Sequence, residues 1–117
     1  MSPIRLYHNP GCSKSRGALQ LLEERGVEVQ VIEYLNEPPG QKELEGILQT
    51  IEDEPSALVR HDKNFDGLGL DREAYTTPEA IVSLLLEHPH LMQRPVAIRQ
   101  ERGLIARPSE RVLELLD

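Results

Sequence analysis

Ile4-Arg5-Leu6-Tyr7-His8-Asn9-Pro10-Gly11-Cys12-Ser13-Lys14-Ser15-Arg16 decides how the rest of this chain is read. Ile4 and Leu6 alternate with Arg5 and Tyr7, the period of a strand with one protected face. Asn9-Pro10-Gly11 then reads as a turn, and the polar run after it as the start of a helix. Ser13 or Ser15 can cap that helix, Ala18, Leu19 and Leu22 give it an apolar stripe, and Gly26 ends it. Residues 27–34 alternate again and predict a second strand. A strand, a helix and a strand on short connections form a βαβ unit, so the two strands are expected to be parallel.

Further along, Glu37-Pro38-Pro39-Gly40 breaks the pattern and launches a helix carrying Leu44, Ile47, Leu48 and Ile51. A short helix is expected at 56–60 and a glycine-containing loop around Gly67 and Gly69. Thr76 and Glu79 stand at capping-box spacing ahead of Ala80, Ile81, Leu84 and Leu85, and Pro89 stops that helix. Two short apolar runs, 94–98 and 104–107, flank a polar connection ending in Gly103 and predict a β-hairpin. Pro108-Ser109 opens a closing helix with Val112, Leu113 and Leu116 on one face. The expected fold is therefore α/β. It is a thioredoxin-like domain spanning 1–117, with a mixed four-stranded sheet flanked by helices and a helical insertion at about 41–90 between the βαβ and ββα units.

Cys12 is the chain's only cysteine, and it stands where the first turn of a helix begins. Free backbone N–H groups and the helix dipole favour negative charge there. A free cysteine is most often a small buried hydrophobe, but the Pro-Gly turn before Cys12 and the polar run after it argue for an exposed, reactive thiolate. His8, Lys14 and Arg16 add basic groups nearby in sequence.

Composition removes several classes of function. The chain has 117 residues, a net charge of −7 and only four aromatic side chains (Tyr7, Tyr34, Phe65, Tyr75), which disfavours nucleic acid and anionic membranes as partners. No apolar run approaches membrane-spanning length and no leader pattern is visible, so a reducing cytoplasm is the expected setting. The acidic balance does not forbid an anionic substrate. Seven carboxylates at ~15 Å in salty water sum to only a few tenths of a kcal/mol, whereas one arginine at ~4 Å contributes about 4 kcal/mol before desolvation. Position 15 is Ser15, so there is no CxxC pair, and Ala18 occupies the position where a Cys-x5-Arg phosphatase loop requires arginine. Gly67-Leu68-Gly69 lacks the third glycine of a nucleotide fingerprint, and His61, His88 and His90 make no recognisable metal set, so no bound metal or cofactor is expected.

Four segments carry a resemblance: residues 7–16, Ala57-Leu58-Val59-Arg60, residues 88–96, and Ala106-Arg107-Pro108-Ser109-Glu110. Taken in order they resemble the glutaredoxin-coupled arsenate reductases (ArsC-type), a thioredoxin-fold family with a helical insertion. The resemblance implies that Cys12 is the nucleophile toward arsenate, with Arg60, Arg94 and Arg107 holding the oxyanion and His8 assisting thiolate formation. It also implies that Pro95 is the cis-proline facing the cysteine, with glutathione as co-substrate and glutaredoxin as protein partner. The chemistry is intelligible: a sulfur attacking an oxyanion brings two negative partners together, and guanidinium forks neutralise such anions at any working pH.

Two other readings stand beside this one. A glutathione-dependent thiol oxidoreductase for another small substrate would reuse the same anion site. A regulatory binding protein of the Spx type would need no arginine set beside Cys12.

Overall fold

Strand β1 (Ile4–His8) is hydrogen-bonded along both edges, and the remaining elements are arranged around it in the computed structural model, which describes residues 2–116. On one side it pairs in parallel with β2 (Val29–Glu33), Leu6 opposite Val31, with helix α1 (Ser13–Glu24) as the crossover. On the other side it pairs antiparallel with β3 (Val96–Arg99), which turns back into β4 (Arg102–Ile105). The sheet order is β2-β1-β3-β4, a mixed four-stranded sheet as the pattern of elements predicts.

Being central, β1 is covered on both faces, and this corrects the single protected face expected from its alternation. Ile4 and Leu6 belong to one apolar cluster with Ala18, Leu22, Ala97, Leu104 and Val112. Tyr7 is buried too, in a second cluster with Tyr34, Leu44, Ile47, Val96 and Ile98. A strand buried on both faces reads as a near-continuous apolar run, and Val96, Ala97 and Ile98 on β3 show the same pattern. Each fully buried leucine or isoleucine contributes about 1.5–3 kcal/mol of burial free energy.

The second cluster is built by the insertion. Helix α2 (Gln41–Thr50) buries Leu44, Ile47 and Leu48, and α4 (Pro78–Glu87) buries Ile81, Val82, Leu84 and Leu85. Three details differ from the sequence reading. The cap of α4 is Thr77, whose hydroxyl accepts from the Ala80 N–H at 3.3 Å, so the helix begins one residue later than a Thr76 capping box would set it. The stretch around Gly67 contains a short helix, α3 (Lys63–Gly67), because the Asp62 carboxylate accepts from the N–H groups of Asn64 and Phe65 and the Phe65 ring enters the core. The closing segment Ser109–Leu115 is a 3-10 helix rather than an α-helix; it buries the expected Val112 and also Leu115, while Leu113 and Leu116 pack partly buried against the same cluster.

Gly103 also moves from its expected role. The hairpin turns tightly at Gln100 and Glu101, with Gln100 at φ 55°, and Gly103 lies inside β4. A Cβ at that position would come within 3.0 Å of Ile98 Cγ1 and 3.2 Å of Thr50 Cγ2. The bare backbone lets Ile51 form a parallel bridge to Gly103 and lets Glu52 N–H donate to its carbonyl at 2.8 Å, fastening the end of α2 to the sheet.

Candidate active site

Cys12 is the N-cap residue of α1, in extended conformation and partly exposed. Its own N–H donates to the Asn9 carbonyl at 3.0 Å, and Asn9 Oδ1 accepts from the Gly11 N–H at 2.9 Å, so Asn9 closes the turn that presents the cysteine. Partial burial alone would push the Cys12 thiol up. The backbone N–H groups of Ser15 and Lys14 and the Arg94 guanidinium outweigh that cost and hold it below its ordinary value. The sequence argument for a helix-start thiolate rested on those donors, and the structure adds a cation from a distant segment.

Ser15 does not cap α1 as the sequence suggested. It is fully buried, its hydroxyl accepts from the Asn9 N–H at 3.0 Å, and it shares a 2.6 Å hydrogen bond with His8 Nδ1. His8, at the end of β1, is 5% exposed. Burial pushes its pKa down; the Glu33 carboxylate partly opposes this, and the Arg16 guanidinium reinforces it. A neutral imidazole results near pH 7. His8 therefore reaches the cysteine turn through Ser15 and the Asn9 backbone.

Arg94 and Pro95 lie on the segment that enters β3. The Arg94–Pro95 peptide bond is cis, as is Arg107–Pro108, and Pro95 is buried. The Arg94 guanidinium is the cation that favours the Cys12 thiolate and partly opposes the rise that burial imposes on the Tyr34 phenol, and its Nη1 donates to the His90 carbonyl at 3.3 Å. Its Nε is buried without a hydrogen-bond partner among the described residues. Such unused donor capacity suits a group built to accept an oxyanion's oxygens. Arg107, just past β4, donates from Nη1 to the Arg94 carbonyl at 3.0 Å, and Ala106 N–H donates to the Pro95 carbonyl at 2.9 Å.

The structure thus brings Cys12, Arg94, Arg107, Pro95 and, through Ser15, His8 into one neighbourhood. Arg60 comes close by another route. Val59 bridges to Met92 and Arg60 N–H donates to the Leu91 carbonyl at 2.7 Å, which sets it beside the segment carrying Arg94. Its guanidinium, however, stands 3.5 Å from the Asp62 carboxylate rather than on the cysteine. Sequence reasoning passed over two participants, Tyr34 and Asn9. In the sequence Tyr34 reads only as the last residue of a strand, and the Met92 carbonyl that its hydroxyl meets lies 58 residues away. Among the described residues no cluster of three His, Cys, Asp or Glu side chains is placed to hold a metal ion, and no helix is long and apolar enough to cross a membrane.

Residues 7–115 match the ArsC family. The chain is 36% identical over 118 residues to the arsenate reductase of Neisseria meningitidis serogroup A, covering 99% of this chain and 100% of that protein. It is 35% identical over 117 residues to the arsenate reductase of Escherichia coli K12, covering 99% of this chain and 82% of that one. Among solved structures, the arsenate reductase from Vibrio cholerae superposes with a TM-score of 0.87 at 36% identity, covering 98% of each chain.

Proposed function

The chain belongs to the ArsC family, and on that premise we propose that it reduces arsenate to arsenite, with Cys12 as the nucleophile and external thiols as the reductant. The observation that carries this reading is the juxtaposition of the helix-capping Cys12 sulfur with the Arg94 guanidinium, itself braced by Arg107.

Arsenate binds with its oxygens on Arg94 and Arg107, and Arg60 joins them by exchanging Asp62 for the anion. The Cys12 thiolate attacks arsenic(V), a hydroxyl leaves as water, and an S–As bond forms. Cys12 has no second cysteine to resolve this intermediate, since Ser15 holds that place. Two outside thiols, one from glutathione and one from glutaredoxin, donate two electrons and are oxidised to a mixed disulfide. One arsenic-bound oxygen leaves as water, and arsenic falls to the (III) state. A water then cleaves the S–As bond, restoring the Cys12 thiol and releasing arsenite. A reducing cytoplasm would supply such thiols.

The cations act where charge builds. A thiolate approaching an oxyanion is repelled until its charge is neutralised, and preorganised guanidinium groups provide that without reorganising at the moment of attack. The second requirement is a sulfur ionised at neutral pH, which the N-cap position and Arg94 favour. Neutral His8 contributes through orientation of the turn, by way of Ser15, rather than as a positive charge on the sulfur.

Purified protein assayed with arsenate, glutathione, glutaredoxin and an NADPH-coupled glutathione reductase should consume NADPH in an arsenate-dependent manner, and Cys12→Ser should abolish it. NADPH consumption that is indifferent to arsenate, with Cys12 still alkylated at mildly acidic pH, would replace arsenate with another small substrate. Thiol turnover absent altogether would leave a binding role.

A further inference from the structure

Asp53 and Arg111 form an ion pair outside the cysteine site, yet both also grip one residue of the strand that leads into it. Asp53 follows α2, and Arg111 belongs to the closing 3-10 helix. Arg111 Nη1 donates to Asp53 Oδ2 at 2.7 Å, with 27% of the arginine side chain and 16% of the aspartate exposed. Asp53 Oδ1 accepts from the Ile105 N–H at 3.0 Å, and Arg111 Nη1 donates to the Ile105 carbonyl at 2.8 Å. Arg111 Nε also stands 3.8 Å from the Glu114 carboxylate. Ile105 ends β4, an outer strand of the sheet, and these groups engage the edge that faces away from β3. Such an edge otherwise offers its main-chain groups to water or to another strand. The inner edge is fastened just beyond, where the Ala106 N–H donates to the Pro95 carbonyl at 2.9 Å. Arg107 comes next. Its N–H donates to that same Ile105 carbonyl at 2.9 Å, and its Nη1 donates to the Arg94 carbonyl at 3.0 Å.

We propose that Asp53 and Arg111 are positioning residues for Arg107: by holding both main-chain groups of Ile105 they fix the exit of β4, and with it the direction from which the Arg107 guanidinium meets an oxyanion. The inference rests on Arg107 binding the oxyanion, as proposed above, but not on that anion being reduced. The pair acts as a unit, because each member grips a different main-chain group of the same residue. Removing one member leaves its partner with an uncompensated, largely shielded charge and frees one side of Ile105. The Ala106 bond and the contacts of Arg107 itself are then left to set the strand's exit. Small displacements of a binding group are costly where geometry has been preorganised.

Asp53→Ala and Arg111→Met test this together. The reading is the concentration of arsenate, or of inorganic phosphate, that protects Cys12 from iodoacetamide, which needs no turnover. Both variants should require about three- to tenfold more anion than wild type, less than loss of the Arg107 guanidinium itself would demand. The shared direction is decisive. A through-space charge effect would tighten anion binding when Asp53 is removed and weaken it when Arg111 is removed. Opposite shifts would therefore overturn the proposal. The double variant should be no worse than either single one, and in an Arg107→Ala background Asp53→Ala should change nothing further. An equal loss with Arg107 already removed would overturn it, as would unchanged protection in variants that merely melt at lower temperature. A second measurement does not depend on anion binding. In protein carrying nitrogen-labelled arginine, the Arg107 Nη resonances should show restricted rotation in wild type and averaging in Asp53→Ala and in Arg111→Met. Arg107 resonances equally restricted in all three proteins would overturn the proposal. Averaging in the variants of a protein that neither anion protects would retain the role of the pair and discard the oxyanion site.

Discussion

Arg107 donates from Nη1 to the main-chain oxygen of Arg94 at 3.0 Å, so the cation following β4 braces the backbone of the cation preceding β3. Two guanidinium groups held on adjoining segments repel each other, and an anion seated between them relieves that repulsion. Arg94→Ala and Arg107→Ala should each weaken oxyanion affinity by about 1.5–3 kcal/mol, the range for charged hydrogen bonds. Arg107→Lys should recover only part of the loss, because an ammonium cannot span two oxygens as a planar fork does. Arsenate KM and competition by inorganic phosphate measure both effects. Equal constants in all variants would remove the arginines from the site.

Arg60 is held by Asp62 at 3.5 Å, with about a quarter of each side chain exposed, so this ion pair is worth at most about 1 kcal/mol. Asp62→Asn removes the competing charge while keeping an oxygen for the N-terminus of α3. The expected result is oxyanion binding up to about fivefold tighter, again visible in arsenate KM. In an Arg60→Ala background that gain should vanish.

Stability should fall on the acid side of neutrality because of His8. Burial lowers its folded pKa beneath the ordinary 6.5. Below about 6.5 the unfolded chain therefore binds more protons than the folded one, and unfolding free energy decreases as pH drops, by at most about 1.4 kcal/mol per pH unit from this group. The contribution is fully present above pH 6.5 and lost on descent through the folded value. Urea unfolding between pH 5 and 7.5 should show a steeper acid decline for wild type than for His8→Gln. Parallel curves would mean that His8 does not titrate differently in the two states.

Gly103→Ala should cost about 1–3 kcal/mol, the usual penalty of overpacking. The added methyl meets Ile98, Thr50 and the Ala97 carbonyl at once, and all three lie in regular elements with little room to yield. Thermal melting would register the change. Because Gly103 fastens α2 to β4 on the way to Arg107, arsenate KM should rise as well.

Elements whose apolar period is set by one face were legible in the sequence. The βαβ unit, its parallel pairing, α2, α4 and the final hairpin all follow from alternation, helical spacing and turn residues. What escaped depends on contacts between distant segments. Asp62 could be recognised as a cap only once Phe65 had somewhere to be buried. Ser15 looked like a surface cap because its partners, His8 and the Asn9 N–H, approach from the preceding strand and turn. Cys12 and Arg94 were each visible as candidates, but only the sheet order, with β1 beside β3, brings them together. Arg60 was named alongside them on resemblance, yet its local environment gives it a carboxylate first.

Ser15 fills the place where a dithiol catalyst would keep its second sulfur, and its hydroxyl is already committed to His8 and Asn9. The chain therefore stores no reducing equivalents of its own and cannot lock itself shut through an internal bridge. In the proposed cycle its pace would follow the thiol supply around it, and an oxidised Cys12 would wait on the next thiol it meets.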